Sequence, residues 1–226
     1  MMQIKACKST IALLGIVSLS MGLPACSAPS QRLSSRNLDV SPAGESGNAK
    51  SQPMMATAPT LNLDLSVDAA YAAIPHRRTA MDFAASNMPE RDKRFLEVTF
   101  HLIDEAIRLR VSAYQKFSSG ETNDSQPTSD LQRLVEYLQN IEAPAGLAGY
   151  QAQLVKALSD QQAFFEEWRT QGQQFQYAQA IGSHPRVQSA STALRAAYGI
   201  LMATYPGQSN NNKEAFFDYH CALDFI

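Results

Sequence analysis

The chain has 226 residues, room for one domain or at most two small ones. Apolar residues make up 45% and charged residues 18%, which excludes a chain disordered throughout. Lys plus Arg number 19 against 21 Asp plus Glu, so the net charge is −2 and the basic excess of a nucleic-acid binder is missing.

Lys5 and Lys8 open the chain, and Ile11 to Leu23 follows without a charge. These 13 apolar-rich residues are too few to cross about 30 Å of hydrocarbon as a helix. The pattern is that of a secretory signal. Leu23-Pro24-Ala25-Cys26 comes next. It resembles the lipobox of bacterial lipoprotein precursors, with Leu three before the cysteine and a small residue directly before it. Pro24 departs from that pattern, where a small or branched residue is usual. The alternative is an ordinary signal peptide with a chance cysteine. It fits less well: cutting after Ala25 leaves bulky Leu23 at the third-last position, and cutting after Ala28 puts Pro29 next. The resemblance covers the signal alone and matches the folded part to no family. It implies that Cys26 becomes the acylated first residue of the mature chain. Two or more acyl chains would hold it stably on a membrane. Ser27, where an inner-membrane lipoprotein tends to carry Asp, implies the outer membrane, facing the periplasm, in a Gram-negative cell.

Removing residues 1–25 takes away two lysines and no acid, so the net charge moves from −2 to −4. Cys7 leaves with the signal and Cys26 is acylated, so Cys221 is the last thiol and no internal disulfide is expected. Residues 27–60 hold no aromatic residue, and 18 of these 34 are Ser, Ala, Pro or Gly. Such a composition buries too little apolar surface to offset its ordering entropy. We expect a disordered tether over 26–60 and a folded domain over 61–226. All 19 aromatic residues lie at or beyond Tyr71.

Leu61, Leu63 and Leu65 alternate with polar residues and suggest a short extended segment. From there the period is helical. Ser66 caps a short helix, Val67 to Ile74, ended by Pro75. Thr79 is expected to cap another, to about Ser86. Asn87-x-x-Glu90 with Pro89 predicts the start of a long helix that runs to Ser119 and stops at Gly120. Its seam is Leu96, Phe100, Ile103, Ile107, Tyr114 and Phe117, and Arg110 occupies the same seam. Residues 121–130 read as a loop. Ser129-x-x-Gln132 predicts a second helix bearing Leu131, Leu134, Val135, Leu138 and Ile141, ended by Pro144. A third is expected over Ala145–Ile181, with Leu154, Leu158, Phe165, Trp168 and Phe175 in its stripe. Ser183 and Pro185 open a fourth, and Pro206-Gly207 stops it. Asn211-x-x-Glu214 opens a last short helix with Phe216, Phe217, Tyr219 and Leu223. No strand pattern with a hairpin turn is present. The expected fold is an all-α, antiparallel bundle of four to five main helices.

Catalytic signatures are missing: no Gly-x-Ser-x-Gly, no His-Glu-x-x-His, no phosphate-cradling glycine loop, no Cys-x-x-Cys. His76-Arg77-Arg78-Thr79 is the densest cationic spot of the mature chain. At the start of a helix capped by Thr79 it makes a candidate anion site. The competing reading pairs the arginines with acids on neighbouring helices. Glu97, His101 and Glu105 share one helix face and form a candidate metal site. Glu97 and Glu105 lie about 12 Å apart along the axis, so His101 would need ligands from elsewhere, such as His184, His220 or Glu166–Glu167. The competing reading is a solvated face of charge pairs, including Asp104–Arg108. Loss of Arg108 is then expected to cost less than about 1 kcal/mol.

The cluster Phe164, Phe165, Trp168, Phe175, Phe216, Phe217 and Tyr219 is expected to be core rather than a ligand pocket. Cys221 beside His220 is expected to be a buried, inert thiol, since sequence neighbours point about 100° apart on a helix. Arg110 either snorkels out along its stem or, the favoured reading, pairs with an acid from another helix. The expected partners are Glu136, Glu142, Glu166 and Glu167. No cofactor is implied. The functional expectation is a lipid-anchored envelope domain acting by non-enzymatic binding of a protein partner. The alternative is a periplasmic ligand carrier or metal- or haem-binding bundle, and a hydrolase with an unrecognised site is the weaker one.

Overall fold

The computed structural model describes residues 58–59, 61, 63–74, 76–175 and 181–224. The signal, Cys26 and nearly all of the expected tether lie outside them. Among the described residues the regular structure is entirely helical, and no helix is long and apolar enough to cross a membrane.

Helix α1 spans Val67–Ala73 and is capped as expected, with the Ala69 amide donating to Ser66 Oγ at 3.1 Å. The helix expected from Thr79 is absent: residues 76–89 form an irregular strap. Pro75 and Pro89 bracket this stretch, and its polar side chains bond across the fold instead of capping a turn.

Helix α2, Glu90–Ser118, starts at Pro89 with no side-chain cap. Asn87 does not close a capping box, since its Oδ1 accepts from Gln208 Nε2 at 2.6 Å. At the other end Gly120 takes φ +91°, where a side chain would be strained. Helix α3, Gln126–Asn140, begins three residues before the expected Ser129, with Pro127 in its first turn. The third helix is shorter than its stripe suggested. A 3₁₀ turn over Ala145–Leu147 leads into α4, Ala148–Gln171, and Gly172 at φ +67° ends it well before Ile181. Helix α5, Pro185–Thr204, is capped by His184 rather than Ser183: Nδ1 accepts from the Arg186 amide at 3.3 Å. Helix α6 is Asn210–Asp224.

Cross-helix contacts set the direction of each helix. Arg91 at the start of α2 meets Glu142 beyond the end of α3, and Thr128 at the start of α3 meets Glu166 late in α4. Lys156 of α4 meets Ser189 early in α5, and Ser191 meets Asp224 at the end of α6. Consecutive main helices are therefore antiparallel. Phe100 stacks on Tyr219 and Arg110 reaches Leu223, so α6 lies parallel to α2 and closes the bundle.

Helix α4 packs most extensively on α5 and also meets α2 and α3. Its Leu154, Leu158, Phe164, Phe165 and Trp168 are all buried. Small residues on α5 (Ala190, Ala193, Ala197) face inward, and Gly149 of α4 lies near Ile200 of α5. The expected aromatic core holds, with Phe164 and Trp168 each in ring contact with one another and with Phe165 and Phe175. Phe217 and Tyr114 do not belong to it: they are 49% and 41% exposed. The extended segment joins the domain through Leu61, which is buried, while Ala58, Leu63 and Leu65 pack against the core.

Candidate functional site

A surface cavity lies between α5 and α6. On α6, Phe217, His220, Cys221 and Asp224 are spaced by three, one and three residues, which puts them on one face. Leu194, Arg195 and Tyr198 oppose them from α5. Together they line a cavity of about 210 Å³ that opens to the surface beside Phe217. Tyr198 touches Phe217 edge-on with ring centroids at 6.0 Å, and His220 at 6.3 Å.

His220 forms the buried side of this cavity. It is 3% exposed, and Nδ1 lies 2.6 Å from the Phe216 carbonyl of its own helix. A carbonyl only accepts, so Nδ1 carries the proton and Nε2 holds the lone pair. That Nε2 has no hydrogen-bond partner, nor has the buried hydroxyl of Tyr150, whose ring meets His220 edge-on at 5.6 Å. Burial pushes the His220 pKa down to about 4, so the ring is neutral near pH 7. Cys221 is half-buried rather than enclosed. Burial first, then Asp224 and Asp218, push its thiol up, away from the nucleophilic thiolate. Asp224 Oδ2 accepts from Ser191 Oγ at 2.9 Å, whereas Arg195 is exposed and has no ion pair among the described residues. The arrangement offers a largely apolar space at the surface. It does not form an activated nucleophile.

The residues singled out in the sequence go elsewhere. Arg77 bonds Glu214 and lies 3.6 Å from Asp218, and Thr79 Oγ1 donates to Asp218 Oδ2 at 2.5 Å. Arg78 meets Asp104 at 2.6 Å and sits 5.9 Å over the Tyr71 ring, while Tyr71 donates to Asp104 at 3.2 Å. Burial lifts the Asp104 carboxyl above its ordinary range, against the pull of Arg78. His76 is turned to the Arg77 carbonyl at 2.8 Å. Both guanidinium groups are thus held by carboxylates, and no helix begins at Thr79. The anion-site reading gives way to a strap latched onto α2 and α6.

The metal reading meets a similar obstacle. Glu97 and His101 are exposed, while Glu105 is buried and bound to Arg108 by two bonds of 2.6 and 2.7 Å. Among the described residues no group of three or more His, Cys, Asp or Glu is placed to hold a metal ion. Arg108 pairs with Glu105, not Asp104, and also donates to the carbonyls of Leu63 and Leu65 at 3.0 and 2.6 Å. It pins the extended segment to α2 and is no surface residue.

Arg110 is 2% exposed, and its partners are not the expected glutamates. Its guanidinium donates to the carbonyls of Leu223 and Ala222 at 2.6 and 2.5 Å. Gln161 Nε2 adds a bond to the Leu223 carbonyl at 2.7 Å. Two residues of other helices therefore cap the C-terminus of α6, where the helix dipole favours a cation. Burial pushes the Arg110 pKa down to about 9, and Asp224 opposes the shift.

Sequence reasoning did not assemble the α5–α6 cavity. The signal that was available is the spacing of Phe217, His220, Cys221 and Asp224; what was missing is the opposing helix. No protein-family model, curated protein or solved structure matches the chain.

Proposed function

We propose that this protein is a bacterial envelope lipoprotein, acylated at Cys26, whose helical domain acts by non-covalent binding of a protein partner at the α5–α6 face. The observation that carries the binding face is Phe217, 49% exposed at the edge of an apolar-walled cavity. Phe217 is continuous with the largely apolar wall of the cavity, and contiguous apolar surface of this kind supports a contact site. The anchoring half rests on the Leu23-Pro24-Ala25-Cys26 motif and on the Ser-, Ala- and Pro-rich stretch that follows it. Such a stretch would act as a tether holding the domain off the outer membrane, on its periplasmic side.

A second reading is kept by the same cavity: a carrier that holds a small ligand there. Catalysis by the neighbouring His220 and Cys221 is disfavoured, because Nδ1 is committed to the Phe216 carbonyl and the thiol is pushed up.

Two measurements test the proposal. A palmitate analogue fed to cells should label the wild type and not Cys26→Ser; an unlabelled wild type overturns the anchor. A photo-crosslinking residue at position 217 should give one discrete adduct in cells, and the same residue at position 114 should not. Equal yields at both positions would remove the α5–α6 face from the proposal.

A further inference from the structure

The α5–α6 face carries a projection and a depression side by side. Phe217 projects, half in solvent, from the edge of the cavity. The depression lies one turn further along α6, where Leu194, Tyr198, Cys221 and Asp224 line the cavity. An apolar cavity of about 150 Å³ already accepts benzene. At about 210 Å³, with largely apolar walls, this one has room for a phenyl ring. A surface that bears both a projection and a depression can pair with a copy of itself about a twofold axis between the two. On α6 the midpoint of Phe217 and Cys221 falls at Tyr219. The charges are arranged about nearly the same point. Lys213 and Asp224 stand four residues before and seven after Phe217, on its side of the helix, and their midpoint falls between Asp218 and Tyr219. Lys213 makes no ion pair among the described residues. Asp224 accepts from the neutral Ser191 hydroxyl. Glu214, the other acid at the Lys213 end, is taken by Arg77, and Arg195 is exposed on the α5 side of the cavity.

We propose that a second copy of this chain packs on the α5–α6 face about a twofold axis, α6 antiparallel to α6, with each Phe217 in the other copy's cavity and each Lys213 against the other copy's Asp224. This rests on the reading of the face as a protein contact. One axis serves both requirements: the register that sets Phe217 over the second copy's Cys221 also brings Lys213 beside its Asp224. Opposite charges in that register favour the antiparallel pairing, whereas a parallel one would set like charges together.

The test uses the full chain as cells process it, purified in detergent, with self-association read by sedimentation equilibrium. The wild type should form a dimer that dissociates on dilution. Phe217→Ser removes the projection and Cys221→Trp fills the depression. Each variant alone loses both of two equivalent contacts and should dimerise about a hundredfold more weakly than the wild type. Mixed together, the two variants keep one intact contact, Phe217 of one copy in the open cavity of the other. The mixed dimer should therefore be only about tenfold weaker than the wild type. Should Cys221→Trp fold poorly, Lys213→Glu sets an acid against the second copy's Asp224 and should weaken the dimer at least about tenfold. A wild type that stays monomeric at about 100 μM overturns the proposal. So does a dimer that none of these substitutions weakens, or a mixture no tighter than its components. The photo-crosslink at position 217 keeps this inference apart from the binding face itself. For a second copy the adduct has twice the mass of the chain and joins position 217 to a peptide containing Cys221. A discrete adduct with a different protein overturns this inference and leaves the binding face standing. A crosslink from position 217 to residues 27–57 of the same chain overturns both.

Discussion

Arg110 and His220 are two buried polar side chains with opposite solutions. Arg110 donates to two carbonyls that end α6 in a dry environment, the Leu223 one shared with Gln161. Arg110→Ala should cost about 3 kcal/mol, from the lost donor at the Ala222 carbonyl, the loss of one of two donors at the Leu223 carbonyl, and a cavity. Arg110→Met keeps more volume and removes the buried charge, so it should cost less, about 1–2 kcal/mol. Urea melts of the two variants check the order; equal losses would mean that volume alone matters there. His220 is left with one nitrogen unpaired, and its pKa falls to about 4 from the ordinary 6.5. The unfolded chain therefore binds a proton that the folded chain refuses, and stability falls as pH drops from about 6.5 towards 4. The loss should reach roughly 2–3 kcal/mol at pH 4.5. Melts at pH 7 and 4.5 should show this for the wild type and much less of it for His220→Leu. Asp104, raised rather than lowered, works in the opposite direction and remains in both proteins.

Polar contacts as well as helix packing hold the elements together. Residues 63–65 have no ladder of their own and rely on Arg108, which reaches two of their carbonyls and Glu105 at once. The pair is shielded, with side chains 13% and 8% exposed. Arg108→Ala should therefore cost about 2–3 kcal/mol, not the small amount expected of a surface charge. It should also open the segment: chymotrypsin should cut near Leu63 and Leu65 faster than in the wild type while the bundle stays whole. Cleavage at the wild-type rate would show that Leu61 alone holds the segment. The strap 76–79 follows the same logic, with its cations spent on Asp104, Glu214 and Asp218.

For the whole molecule, the question is where the folded unit begins. Leu61 is 6% exposed, so core packing extends at least that far towards the N-terminus. Deleting residues 27–57 should leave the melting temperature within a few degrees of the wild type, because their composition offers little to bury. Extending the deletion through Leu65 removes a buried leucine and the acceptors of Arg108, and should lower it by about 10 °C. Scanning calorimetry of both chains checks this. A large loss in the shorter deletion would place part of 27–57 on the domain.

Much of the fold was legible in the sequence because helices announce themselves locally. The seams of three and four, the Ser66 cap and the stop at Gly120 are written within a few residues of where they act. Where two local signals competed, the reading failed: Asn87 and Thr79 look like caps but spend their side chains on Gln208 and Asp218, more than a hundred residues away. The sites were less legible still. By itself the sequence determined that the chain forms an all-α bundle, that its aromatic stripe is core and that Arg110 lies on an apolar seam. Only the tertiary structure decided that Arg110 caps α6, that Arg77 and Arg78 are neutralised, and that His220 borders a cavity with one nitrogen free. The reason is physical: a helix face follows from residue spacing, whereas a partner across the core depends on how the helices pack, and no local pattern encodes that.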